Sequence, residues 1–155
     1  MKQGLPWDMI QLKISDENSL VLALGSNLGE REEYVKSALE ALKKSFGNPL
    51  KISQIIETQA VGFSGPDFLN CVVLYTGVQA DPHEVLKICK RIEKGLGRDD
   101  APEFNEVGER VYHSRCIDID ILFYGNRVVD TPELKIPHPG IHTRKYLQDL
   151  LSQLL

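Results

Sequence analysis

The stretch RCIDIDILFYG, residues 115–125, decides how the rest of the chain is read. Ile117, Ile119, Ile121, Leu122 and Phe123 form a short apolar run closed by Gly125, the pattern of a strand inside a sheet. Two aspartates interrupt it at alternate positions. Residues i and i+2 of a strand share a face about 7 Å apart. Asp118 and Asp120 therefore point one way, while Ile117, Ile119 and Ile121 point to the core. Two carboxylates at that spacing repel each other unless positive charge sits between them. Mg2+ suits them, because it takes hard oxygen ligands and is commonly held by one or two carboxylates plus substrate phosphates. The ordinary alternative is a half-exposed strand with acids on its solvent face, and D-x-D alone does not separate the two.

Working outward, VLALG (21–25) reads as a buried strand ended by glycine. In residues 26–47, Tyr34, Val35, Ala38, Leu39, Ala41, Leu42 and Phe46 make a helical stripe stopped by Gly47. Asn27 and Glu30 have capping-box spacing. KISQIIETQAV (51–61) reads as a second strand, GFSGPD as a loop and FLNCVVLYTGV (68–78) as a third strand. In DPHEVLKICKRIEKGLG, Asp81 is a cap, Pro82 suits the first helical position, and Val85, Leu86, Ile88, Cys89 and Ile92 form the buried stripe. Residues 97–114 show no periodicity, and a loop of that length is usually functional or disordered. After residues 115–125 come a turn at Gly125 and Asn126, a short return strand RVVD, the segment IPHPGIHTR, and an amphipathic helix from KYLQDLLSQLL.

The order β-α-β-β-α-β predicts an α+β, ferredoxin-like sheet with helices packed on it, plus an added hairpin strand and a C-terminal helix. Residues 1–19 read as a polar leader or expression remnant, partly disordered, with one short strand near MIQLKI. Residues 20–155 read as a single domain.

The net charge of -4 gives no electrostatic case for nucleic acid or an anionic membrane. No apolar run has membrane-spanning length, and the N-terminus lacks signal-peptide features. Cys71, Cys89 and Cys116 are odd in number and far apart, which argues against a disulfide framework or zinc knuckle. A cytoplasmic monomer is the expectation.

Arg98, Arg110, Arg115 and Arg144 lie around the aspartates in sequence, and guanidinium groups suit phosphate oxygens. Carboxylates and arginines without an evident nucleophile point to phosphoryl transfer, where positioning and charge neutralisation carry the catalysis. An ordinary solvated surface is the alternative for any one of these arginines. GSNLG (25–29) is neither G-x-G-x-x-G nor Walker A and reads equally well as a turn with a helix cap. The histidines lack metal spacing: His83 reads as a surface residue, His113 stays unassigned, and His138, between two prolines, reads as a hydrogen-bonding group. Phe68 and Asn70 share a strand face, where an aromatic and an amide can stack on and pair with a flat heterocycle. A core Phe beside a strand-end Asn explains them equally well.

Together LALGSNLGER, FLNCVV, IEKGLGR, RCIDIDILFYG and IPHPGIHTRKY resemble, in order, the 6-hydroxymethyl-7,8-dihydropterin pyrophosphokinase family over residues 20 to about 150. The resemblance implies transfer of diphosphate from ATP to the pterin hydroxymethyl group, giving AMP, with two Mg2+ ions. It implies a metal pair at Asp118 and Asp120, and phosphate-handling arginines at Arg98 and Arg115. On the pterin side it implies aromatics at Phe68 and Tyr146, an edge-reading amide at Asn70, and loop contacts at Thr58 and Val61. On the ATP side it implies Glu93, Arg115, His138 and Arg144, with backbone contacts at Ile121 and Lys135. The chain departs from the family pattern where ERVYHSR replaces an Arg-Trp-Gly-Pro-Arg-like run. With Tyr112 in the tryptophan's place and Arg110 one position out of register, which second loop arginine acts stays open. Gln59 follows Thr58 where proline is usual, Lys90 stands where glutamine is common, and the chain ends before a further Pro-rich segment. Two rival readings remain: another D-x-D nucleotide transferase, and a ferredoxin-like binding module without catalysis.

Overall fold

The computed structural model describes residues 16–27, 29–59, 67–97, 103–104, 106–108, 110–111 and 116–155. Strand β1 (Leu20–Ser26) is central, flanked on both sides by antiparallel neighbours, which explains why it is apolar on both faces. Helix α1 (Arg31–Phe46) buries Val35, Ala38 and Leu42 and ends at Gly47, whose φ of 85° suits glycine. Its start differs from the expected capping box. Asn27 is fully buried at the end of β1, and Glu30 precedes the helix without a side-chain cap.

The expected second strand is two pieces, β2 (Lys51–Ile52) and β3 (Ile56–Thr58), both antiparallel to β4 (Phe68–Tyr75). Ile52 pairs Val73 and Ile56 pairs Asn70, so four steps on one strand oppose three on the other. The extra residue is a bulge. Ser53 spans it: its Oγ accepts from Val72 N–H at 2.9 Å, and its N–H donates to Val72 C=O at 2.9 Å.

Helix α2 (Pro82–Gly95) begins as the sequence predicts, with Asp81 Oδ1 accepting from the N–H groups of His83 (2.9 Å) and Glu84 (3.0 Å). The segment read as patternless contains a small hairpin, β5 (Glu103–Phe104) with β6 (Arg110–Val111). Strand β7 (Asp118–Tyr124) then pairs with β1 and forms the sheet edge. The sheet order is β2-β4-β1-β7, with β3 beside β4. Each helix-linked strand pair brackets one strand of the other pair, which is the ferredoxin-like arrangement. The return strand does not extend this sheet. Instead β8 (Val129–Asp130) pairs with β9 (Lys135–Ile136) in a separate ribbon. Two helices close the chain, α3 (Gly140–Thr143) and α4 (Lys145–Ser152).

Helices α1 and α2 pack on each other and on the sheet, and α4 packs on β4. Leu22, Leu24, Leu42, Leu122, Phe123 and Leu150 are among the buried core. All three cysteines are buried and free. Burial pushes the Cys71 and Cys89 thiols up to about 12, so neither is a ready thiolate. No helix among the described residues is long and apolar enough to cross a membrane.

The lead-in to β7 is held by Ser26, whose buried Oγ donates to Cys116 C=O at 2.5 Å. Ser26→Ala strips that carbonyl of the partner, so the folded state should lose about 1–3 kcal/mol. Urea unfolding should show a lower midpoint at unchanged slope. An unmoved midpoint would refute this role for Ser26.

Candidate active site

Register aligns the site. Asp118 on β7 faces Gly25 on β1, Gly25 faces Asn70 on β4, and Asn70 faces Ile56 on β3. Directly opposed residues of antiparallel strands share a sheet face. Asp118, Gly25 and Asn70 thus lie in one row, with Asp118 and Asn70 about 10 Å apart at two strand spacings. Asp120 and Phe68 lie two residues along their own strands and share that face. The expected split of β7 is present: Asp118 and Asp120 are half-buried, while Ile117, Ile119 and Ile121 are buried.

Gly25 keeps the middle of the row open. A Cβ there would come within 3.1 Å of Asn70 Oδ1 and 3.5 Å of Phe68 Cδ1. Asn70 is buried, and its Nδ2 donates to Thr58 Oγ1 at 2.5 Å, which fixes the amide plane. Thr58 and Phe68 are themselves an opposed pair. Tyr146, half-buried on α4, has its hydroxyl pushed up by burial, with Arg144 pulling it down.

At the other end of the row, Asp120's carboxyl is pushed well above its ordinary range, first by burial and then by the charge of Asp118. Glu93 adds to the push, and Arg144 opposes it. Glu93 itself is buried and accepts from Ile119 N–H at 2.7 Å, pinning the outer edge of β7 to α2. Two residues on, the same strand phase turns the Ile121 backbone outward. Beyond it β7 carries an extra residue against β1: Ile121 pairs Leu22 and Phe123 pairs Val21, leaving Leu122 as a bulge. Leu122 C=O accepts from His138 N–H at 2.8 Å, so this bulge docks the IPHPG segment onto the strand.

His138 Nδ1 accepts from Gly140 N–H at 2.9 Å, which places the neutral ring's proton on Nε2, 4.0 Å from Asp120 Oδ2. Burial, then Arg144's charge, hold His138 below the usual imidazole range, so it is neutral at pH 7. Gly140 is required by proximity, since a Cβ there would lie 2.9 Å from His138 Nδ1.

A cavity of about 330 Å³ runs along the outer edge of β7. It gathers Asp118, Asp120, Ile121, Glu93, Lys135 and His138, while Thr58, Phe68 and Asn70 lie across Gly25 from it. Lys135 also pairs with Asp130. Arg98, Arg115 and Val61 lie outside the described residues, as do His113 and the side chain of Arg110. Among the described residues no three His, Cys, Asp or Glu side chains converge on a metal position. A carboxylate pair that leaves further positions to phosphate and water is nonetheless a donor set Mg2+ accepts. The repulsion that lifts Asp120 is the kind a divalent cation relieves.

Sequence reasoning missed Gly25, whose role depends on cross-strand register. It also missed the backbone duty of Glu93, although a lone acid on an otherwise apolar helix stripe was a signal.

Fold and geometry together define a class: an α+β, ferredoxin-like domain with a polar cavity along the edge strand of its antiparallel sheet. Within that class, residues 21–155 match the family model described as 7,8-dihydro-6-hydroxymethylpterin-pyrophosphokinase, and the chain belongs to that family. A 2-amino-4-hydroxy-6-hydroxymethyldihydropteridine pyrophosphokinase of Porphyromonas gingivalis is 39% identical over 135 residues, covering 86% of this chain and 88% of that protein. The Aquifex aeolicus protein of the same name is 37% identical over 129 residues, covering 83% and 74%. A longer relative, the folate synthesis bifunctional protein of Chlamydia muridarum, is 37% identical over 145 residues, which are 88% of this chain and 30% of that protein. The family's activity, pyrophosphoryl transfer in folate synthesis, is accordingly that of this chain.

Proposed function

We propose that the chain moves the terminal diphosphate of ATP onto the hydroxymethyl oxygen of 6-hydroxymethyl-7,8-dihydropterin, and that the residues gathered above carry this reaction. The substrate oxygen bonds to the β-phosphorus, the bond from that phosphorus to the α,β-bridging oxygen breaks, and AMP leaves with the bridging oxygen. The hydroxyl proton passes to solvent. The observation that carries the reading is the row Asp118–Gly25–Asn70, which sets a carboxylate pair and a heterocycle-reading amide on one face with an open glycine between them.

Asp118 and Asp120 would hold Mg2+, two ions on this reading. Bound there, Mg2+ supplies charge neutralisation and alignment of the phosphates. Phe68 and Tyr146 stack on the pterin, Asn70 pairs with its edge in the orientation Thr58 sets, and Val61 borders it. His138 offers its Nε2–H, and Arg144 its charge, to the phosphates. Arg98 and Arg115 neutralise the transferred group. Glu93 holds the edge strand so that the Ile121 and Lys135 backbones meet the adenine. Residues 20–155 act as one unit, as a monomer in a reducing cytoplasm. The buried free cysteines favour that compartment, and the charge of -4 disfavours a nucleic-acid partner.

Incubation with ATP, 6-hydroxymethyl-7,8-dihydropterin and Mg2+ should yield AMP and the pterin diphosphate in equal amounts. ADP as the nucleotide product, or no turnover, would refute the reading; a purely binding module would release no AMP.

A further inference from the structure

The cavity beside β7 has two walls. Leu86, Lys90 and Glu93 of α2 form one, and the turn between β8 and β9, through Pro132 and Glu133, forms the other. That turn belongs to a two-stranded ribbon outside the main sheet, and isolated ribbons are marginal without support. The turn is closed by its own hydrogen bonds and anchored by buried side chains. Leu134 and Ile136 are buried, Thr131 N–H donates to Leu134 C=O at 2.9 Å, and Thr131 Oγ1 accepts from Leu134 N–H at 3.1 Å. The turn meets α2 in an ion pair: His83 Nε2 lies 3.4 Å from Glu133 Oε1. Among the described residues this is the only ion pair joining α2 to the turn. His83 is three positions before Leu86, one helical turn along the same face. The pair therefore joins the two walls beyond Leu86, at one end of the cavity.

We propose that His83 and Glu133 are positioning residues for ATP, their ion pair acting as a clasp that sets the spacing of the two cavity walls. The proposal rests on reading this cavity as the nucleotide side of the site. The clasp holds while the imidazole is protonated. Histidine is the side chain that changes charge near neutral pH. Glu133 faces it from the turn, and Asp81 at the head of α2 lies near enough to feel its charge. Asp81 is held below its ordinary range chiefly by Glu84 N–H, with His83's charge contributing. The contact is an ion pair only with the imidazole protonated, the form that lower pH favours. Its side chains are 45% and 58% exposed, which limits the effect to a modest one.

The test compares the parent, Glu133→Gln, and the charge-reversed double variant His83→Glu with Glu133→Lys. Readouts are kcat, the KM for ATP, and calorimetric binding of a non-hydrolysable ATP analogue with Mg2+, at about pH 6 and about pH 8. At the lower pH, Glu133→Gln should weaken KM and analogue affinity about two- to fivefold, with kcat changed less. At the higher pH it should match the parent. The double variant should keep parental low-pH affinity at both values. Referring each variant to the parent at the same pH cancels the titration of ATP itself. Equal affinity of parent and Glu133→Gln at the lower pH overturns the clasp, and so does a loss of the same size at both values. A parent that binds the analogue but forms no AMP would sink the functional reading instead, and the analogue comparison would still decide the clasp.

Discussion

Asp118→Asn and Asp120→Asn should each cut turnover by about 10³-fold or more while leaving the fold as stable as the parent or more so. The two halves of this expectation have one cause. Burial and the neighbouring Asp118 charge push the Asp120 carboxyl well above its ordinary range, so the ionised pair is a cost to the unliganded fold. A carboxyl whose folded value is raised binds its proton more tightly when folded. Stability therefore falls as pH rises from about 4, the unfolded value, through the folded value. In Mg2+-free buffer, thermal unfolding of the parent should show that decline, and Asp120→Asn should flatten it. Turnover on the proposed reading, by contrast, needs both carboxylates fully charged to hold Mg2+ against the phosphates, and an amide supplies no charge. AMP formation and thermal unfolding on the same samples separate the two effects. A variant that unfolds would make the pair structural; one that turns over at the parental rate would remove it from the reaction.

The order of elements was legible because it rests on local pattern. The alternation in 117–121, the stripe in α1, and Asp81 with Pro82 at the head of α2 each depend on residues within one or two turns of one another. The ferredoxin-like order follows once those elements are strung together. Two bulges escaped notice, at Ser53 and Leu122, because each is defined by a count against a partner strand far away in sequence. The capping reading failed for a similar reason. Asn27 has the right spacing, but burial at the end of a central strand removes it from the helix start. The pairing of β8 with β9 was missed because RVVD has only two ladder residues, too few for a pattern to choose a partner.

The candidate site was legible in a different way. Asp118 and Asp120 could be singled out by alternation, and Phe68 with Asn70 by sharing a face, but neither pair points to the other. Motif resemblance supplied the link, and the register of β7, β1 and β4 gives it a spatial form. Glu93 shows the limit. Its resemblance-based role faces the nucleotide, whereas its carboxylate also accepts from the Ile119 backbone.

Gly25→Ala should fold normally and lose about ten- to a hundredfold in kcat/KM for the pterin, and Gly25→Val should lose more. The backbone at Gly25 is not in the left-handed region, so alanine meets no conformational penalty there. The penalty is contact. The added methyl would stand 3.1 Å from Asn70 Oδ1 and 3.5 Å from Phe68 Cδ1. Asn70 cannot swing clear at no cost, because its Nδ2 is tied to Thr58 Oγ1. On the proposed reading, either the methyl tilts the amide away from the heterocycle, or it fills the floor between Asn70 and Asp118 across which the hydroxymethyl group reaches. Both raise the barrier without touching the carboxylate pair. ATP-analogue affinity should therefore stay near the parental value while pterin KM rises, and the thermal midpoint should move by only a few degrees. Thr58→Val tests the same support from the other side: it frees the amide, and in combination with Gly25→Ala it should cost less than the two losses added together. Parental kcat/KM in Gly25→Ala would show that the open glycine has no part in substrate placement.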